Sequence, residues 1–417
     1  MERRVVITGM GAVTPVGNTV EESWQNLKAG KSGIALIERF DTSDLATKFG
    51  GEVKNFDAAK IFGRREARRL DRYTHFAREA SRQAIEESGL LNNGTNRERV
   101  GLVIGSCVGG MDSSIEQYNT LNNRGPGRVS PFFITMLLPD AAAAHVAIDY
   151  NLMGPNLCVS TACATGTNSL GEAFEIIKRG DADAMIAGGS EAAVNRLIIS
   201  SFNVMKALAE ENDDPAGACK PFDLNRTGFV MSEGSVVLVL EELEHAKKRG
   251  ANILAEFIGY GTSVDANHMA APREDAYGAI LSMQRAIARA GIDPTEIDYI
   301  NAHGTGTRLN DKVETKAIKQ VLGEHAYDVA ITSSKSMTGH LYGAAGALEA
   351  MVCVKTLTDG IISPTINYQT ADPECDLDYT PNQARPADVQ VALSNSFGLG
   401  GRNATIILKK FDNDPSI

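Results

Sequence analysis

Short apolar runs, many of them closed by glycine, alternate along the chain with longer segments whose apolar residues recur every three to four positions. The short runs predict strands at Val5–Thr8, Val100–Gly105, Ala184–Ala187, Gly234–Leu240, Leu254–Tyr260, Tyr299–Ala302, Val329–Ser333 and Ala404–Leu408. Helix-period segments lie at Asp71–Ser88, Leu170–Arg179, Ala279–Ala290 and Val313–Val321. This alternation predicts an α/β architecture with largely parallel sheets. Several strands are apolar almost throughout, which predicts sheets covered on both faces.

A basic helix end, HAKKRGANI, divides the chain near residue 250 and suggests an N-terminal unit 1–250 and a C-terminal unit 251–417. Each contains a similar element. VSTACATGTNSLGEAFEII in the first and ITSSKSMTGHLYGAAGALEAMVCV in the second both read as strand, tight Ser/Thr/Gly turn, then helix. Such an echo predicts duplicated halves meeting face to face, with chemistry at their junction.

Composition narrows the function classes. A net charge of −11 gives the protein as a whole no electrostatic reason to bind nucleic acid. Six cysteines without a CxxC pair argue against a disulfide scaffold or zinc site, and for buried or catalytic thiols in a reducing compartment. The opening MERRVVITGMG lacks the apolar core of a signal peptide, and no run approaches the roughly 18 apolar residues of a membrane span. The expected setting is the cytoplasm, or an organelle interior after loss of a transit peptide.

Candidate chemistry sits in the glycine-rich turns. GMGAVTPVG has Thr14 where a dinucleotide fingerprint needs its third glycine, and Pro15 follows, so a structural turn fits better than nicotinamide binding. Cys107, in GSCVGG, sits in a setting like a hydrolase nucleophile elbow. Cys163, in STACATG, directly precedes a helical segment whose dipole favours thiolate and whose N–H groups can hold an oxyanion. In the second half, NAHGTGT carries His303, and SSKSMTGH carries Lys335 and His340. All three occupy strand ends, where binding sites of α/β folds commonly open.

The order TACATG, NAHGTGT, SKSMTGH and closing NSFGLGG resembles the β-ketoacyl-acyl carrier protein synthases, in particular the elongating type II enzymes of dissociated fatty-acid synthesis. The resemblance runs from RVVITGMG to ATIILKKF, nearly the whole chain. It implies a thiolase-like fold of two duplicated α/β halves in five αβαβα layers, usually a homodimer. It also implies decarboxylative condensation of an acyl thioester with malonyl carrier, without metal or redox cofactor. Cys163 would be the nucleophile, His303 and His340 the enolate donors, and Lys335 a source of positive charge. The resemblance places the oxyanion hole at the N–H groups of Cys163 and Leu399, makes Glu314 the carboxylate that fixes Lys335, and assigns Thr305 and Thr307 to the pantetheine arm. An acidic acyl carrier protein would be the partner. It would dock on Arg64, Arg65, Arg68 and Arg69, which GRREARRL is expected to carry on one helical face, and on Arg128 and Lys206.

The sequence departs from the family near the substrate. Leu399 stands where an aromatic gate is usual, and Arg402 where threonine is usual. Val108 replaces an isoleucine that narrows the acyl tunnel. On the malonyl side, in NHMAAP, Ala270 stands near His268 where a threonine is usual. These changes open an alternative role in polyketide or aryl-polyene assembly. A thiolase would need a late cysteine in a glycine setting, which Cys353 and Cys375 lack, and a non-catalytic chain-length-factor subunit would lack Cys163.

Overall fold

In the computed structural model, which describes residues 3–92 and 94–412, ten strands share one sheet. In chain order they are β1 (Val5–Val13), β2 (Val100–Gly105), β3 (Asn156–Leu157), β4 (Ala184–Ala192), β5 (Glu233–Glu242), β6 (Ala255–Val264), β7 (Tyr299–Asn301), β8 (Ala330–Thr332), β9 (Val391–Gly398) and β10 (Arg402–Lys410). Their spatial order is β8-β7-β9-β10-β6-β1-β5-β4-β2-β3. The centre is a short antiparallel ladder in which Val5–Ile7 of β1 meets Ala255–Phe257 of β6.

Outward from that ladder the two halves repeat each other. β1-β5-β4-β2-β3 and β6-β10-β9-β7-β8 each show two antiparallel pairings followed by two parallel ones. The sheet is therefore mixed, with four parallel and five antiparallel ladders, and the expectation of largely parallel sheets is corrected. A continuous apolar run such as VVLVL in β5 reports burial on both faces and carries no information about strand direction.

Six helices make the layers: α1 (Arg72–Ser88), α2 (Ala141–Tyr150), α3 (Thr165–Arg179), α4 (Tyr277–Ala290), α5 (Arg308–Leu322) and α6 (Ala345–Asp359). α1 and α2 cover the outer face of the first half, and α4 and α5 that of the second. Between the halves lie α3 and α6, each packed on strands from both. The result is the αβαβα stack. α6 is apolar nearly all round and buried from Ala345 to Val354, as a helix in a central layer must be. Both central helices come from the two echoing sequence elements, so the echo marks the pseudo-twofold.

Glycine lets these helices touch backbone to backbone. A Cβ on Gly166 would lie 2.7 Å from Ala347 N, and one on Gly346 would lie 2.0 Å from Thr167 Oγ1. Their first turns therefore abut. The chain passes from one half to the other between Glu242 and Ala255. All six cysteines are free thiols, and no helix among the described residues is long and apolar enough to cross a membrane.

Candidate active site

The seam between the halves gathers the chemistry. Cys163 sits two residues before α3, after Ala162, whose φ of 51° is left-handed. His303 follows β7, and Lys335 opens a one-turn helix after β8 that ends at Gly339, just before His340. Leu399 lies between β9 and β10, followed by Gly400 and Gly401 with φ of 81° and 69°. Cys163, His303 and His340 bring one side-chain atom each within 4.8 Å of the others. They line a cavity of about 210 Å³ whose walls include Phe202, Phe229, Tyr342 and Phe397.

Two backbone N–H groups, those of Leu399 and of Cys163 itself, act on the Cys163 sulfur. Burial nevertheless pushes the thiol up to about 11, against the pull of the Leu399 N–H and of Lys335. Burial of the sulfur thus works against the helix terminus, whose dipole still favours thiolate. Before substrate arrives the sulfur keeps its proton.

Burial and the Lys335 charge hold both His303 and His340 well below the usual imidazole range, so both are neutral. His340 Nδ1 accepts the Tyr342 N–H at 3.3 Å, which fixes the ring proton on Nε2. That Nε2 is buried without a protein partner. It is an N–H donor waiting for an acceptor.

Lys335 is almost wholly buried and pairs with Glu349, on α6, rather than with Glu314. The assignment of Glu314 as the lysine's anchor is corrected. Its Oε1 and Oε2 accept the N–H groups of His303 and Gly304, both at 2.8 Å, so it holds the turn that presents His303. Burial raises both carboxyls to about 7. Glu349 escaped sequence reasoning, although a lone carboxylate in the apolar run LEAMVCV was a usable signal.

Of the expected substrate residues, Thr305, Thr307, Ala270 and Leu399 line the cavity, and the two threonine hydroxyls lie 3.0 Å apart. Val108 joins the apolar cluster of Phe202, Tyr342 and Leu399. His268 is exposed and its Nδ1 accepts from the N–H groups of Ala270 and Ala271, which makes it a brace of that loop. Arg402 points outward and donates to the Leu399 carbonyl at 3.3 Å. Tyr342 and Phe202 were not anticipated; nothing in their spacing marks them.

The basic segment differs from its expectation as well. Only Arg64–Ala67 is helical, a single turn that starts after Gly63, whose φ is 82°; Arg68 caps it and Arg69 lies beyond it. Glu66 pairs with Arg78, and Arg69 stacks on Phe132 at 4.5 Å. Arg64, Arg65, Arg68, Arg128 and Lys206 are exposed, and Lys206 follows Met205, a cavity residue.

Duplicated halves, a cysteine at a helix start, two neutral imidazoles and a buried lysine define a thiolase-like condensing enzyme. The chain belongs to the β-ketoacyl synthase family: residues 2–246 match the "Beta-ketoacyl synthase, N-terminal domain" and residues 254–369 its C-terminal domain. It is 49% identical over 410 residues, 98% of this chain and 99% of the relative, to a 3-oxoacyl-[acyl-carrier-protein] synthase 2 of Synechocystis sp.. The ishigamide ketosynthase/chain length factor superposes with a TM-score of 0.92 at 35% identity, covering 99% of this chain and 100% of the other. A type II polyketide ketosynthase in complex with its acyl-carrier protein gives 0.90 at 35%, with the same coverage.

Proposed function

We propose that the protein catalyses decarboxylative condensation of an acyl thioester with malonyl-acyl carrier protein, giving 3-oxoacyl-acyl carrier protein and CO2 in fatty-acid elongation. The observation that carries this reading is one cavity where Cys163 meets two neutral imidazoles and the N–H groups of Leu399 and Cys163.

In the first step Cys163 attacks the acyl carbonyl, the bond to the carrier sulfur breaks, and the thiol proton leaves with the departing carrier. The carbonyl oxygen is received by the N–H groups of Cys163 and Leu399. In the second, malonyl thioester loses CO2 and its enolate oxygen meets His303 and His340. Neutral imidazoles suit this role because they donate a proton bridge without protonating the carbanion. The enolate carbon then attacks the acyl carbon, and the Cys163 sulfur leaves as thiolate and takes a proton from water. Lys335 supplies positive charge without reaching the reacting atoms directly. No metal or redox cofactor takes part.

Fatty-acid elongation is favoured over polyketide assembly by 49% identity to the synthase 2 relative against 35% to the polyketide enzymes. The carrier would dock on Arg65, Arg68, Arg69, Arg128 and Lys206, with its arm passing Thr305 and Thr307. A homodimer is supported by the exposed edge strand β3, by exposed Ile148 on α2, which packs on it, and by exposed Met153, three residues before it. The reading places the enzyme in the cytoplasm, with its soluble carrier.

Mass spectrometry tests the assignment. Offered acyl-carrier donors of graded length, the protein should gain acyl mass on the Cys163 peptide, then release a 3-oxoacyl product two carbons longer with malonyl-carrier. Cys163→Ala should take up none; acyl mass bound covalently at another residue would overturn the mechanism.

A further inference from the structure

Glu191, the penultimate residue of β4, is fully buried and forms no ion pair among the described residues. Four donors surround it instead. Oε1 accepts from Ser106 Oγ at 2.8 Å and from the Val108 N–H at 3.2 Å. Oε2 accepts from the N–H groups of Cys107 at 2.8 Å and Gly343 at 3.1 Å. Three of these donors belong to the turn after β2; the fourth belongs to the turn beyond His340, in the other half. Gly343 must be glycine for this closure, because a Cβ there would lie 2.4 Å from Glu191 Oε2 and 3.1 Å from Cys107 Sγ.

Cys107 carries the chain of contacts on to the nucleophile. Its thiol donates to the Ala162 carbonyl at 3.0 Å and lies 3.4 Å from Thr165 Oγ1, which accepts the Thr161 N–H at 2.8 Å. Ala162 is the left-handed residue directly before Cys163, a conformation that L residues with a Cβ avoid. Something must hold it. Burial, with Glu191 close by, keeps the Cys107 thiol far above its usual range, so it remains a proton donor rather than a second nucleophile.

We propose that Glu191 and Cys107 form a positioning device across the seam: Glu191 locks the turn of Cys107 to the turn of His340, and the Cys107 thiol holds the strained turn that presents Cys163. The inference rests on the reading of Cys163 as nucleophile. The carrier arm and docking residues lie elsewhere, so loss of the Cys107 thiol, which leaves the Glu191 contact to the Val108 N–H in place, should lower turnover without changing affinity for the carrier.

The test compares Cys107→Ala, Cys107→Ser and Glu191→Gln with the wild type. Acylation of Cys163 by acyl-carrier is followed in single turnover, and kcat and KM of condensation are determined beside the melting temperature. Cys107→Ala should lower the acylation rate and kcat about fivefold, the effect of one modest hydrogen bond, with KM unchanged. Cys107→Ser should recover to within about twofold, since its hydroxyl can serve the same carbonyl. Glu191→Gln, whose amide cannot accept from all four donors, should fall further than Cys107→Ala. Acylation by Cys107→Ala at the wild-type rate would overturn the proposal. So would a serine variant as slow as the alanine one, or a loss of kcat matched by equal loss of affinity and melting temperature. Absence of Cys163 acylation in the wild type would instead overturn the functional reading, and this proposal with it.

Discussion

Glu314→Gln separates the two chemical steps. One oxygen of this carboxylate accepts the His303 N–H and the other the Gly304 N–H, both at 2.8 Å, and Asn395 Nδ2 donates to the former at 3.4 Å. Glutamine has one oxygen, so its NH2 must face the second N–H and one buried donor loses its acceptor. Hydrogen bonds to a charged partner contribute about 1.5–3 kcal/mol each. Expressed in a transition state that depends on His303, the loss of one corresponds to roughly ten- to a hundredfold in rate. CO2 release from malonyl-carrier should fall by that amount, while acylation of Cys163, which depends on the N–H groups of Cys163 and Leu399, should change by less than about threefold. The pH profile gives a second readout. The Glu314 carboxyl, pushed up to about 7 by burial, is best suited to two N–H donors when ionised, so wild-type decarboxylation should rise through neutrality. The variant should lack that limb. Equal losses in both steps would refute the reasoning, because Glu314 would then act on the site as a whole, as its supposed contact with Lys335 would require.

The same carboxyl leaves a mark on stability. Its folded value near 7 exceeds the ordinary 4.5, so the folded state binds more protons between those values, and stability should fall as pH rises through that window by at most about 1.4 kcal/mol per unit. Urea unfolding at pH 5 and 7.5 should show a shallower decline for Glu314→Gln; parallel slopes would contradict the raised value. Leu399→Phe should shift the preferred donor length, read from acylation rates across a chain series, and an unchanged profile would show that position to be silent. Reversing charge at both Arg65 and Arg68 should raise KM for acyl-carrier on the order of tenfold with kcat preserved, and added salt should narrow the gap. An unaltered KM would move the docking surface elsewhere.

The sequence made the site legible where each reactive side chain stands in a Gly/Ser/Thr turn after a strand, as Cys163, His303, Lys335 and His340 do. It concealed the strand at the middle of the second half. β9 reads VALSNSFG, and Ser394, Asn395 and Ser396 break its apolar run. Two of those polar residues are satisfied by partners from other elements: Thr405 donates to Asn395 Oδ1 at 2.8 Å, and Ser396 lies 2.7 Å from Thr167, while the Ser394 hydroxyl is buried without a partner. Such partners are set by tertiary packing, beyond the reach of periodicity. The same holds for Glu349, whose meaning depends on Lys335 fourteen residues earlier, and for Glu66, which turns from its neighbouring arginines to Arg78.

The pseudo-twofold has a further consequence. The nucleophile is carried by one half and its imidazoles by the other, so neither half holds a reaction, only a fragment of one. Catalysis begins when the first turns of α3 and α6 close against each other at Gly166 and Gly346. A methyl group added at either glycine would touch no reactant, yet it would part Cys163 from His303 and His340. A chain with native helices and strands but undocked halves would be inert, which makes turnover a direct reporter of that docking.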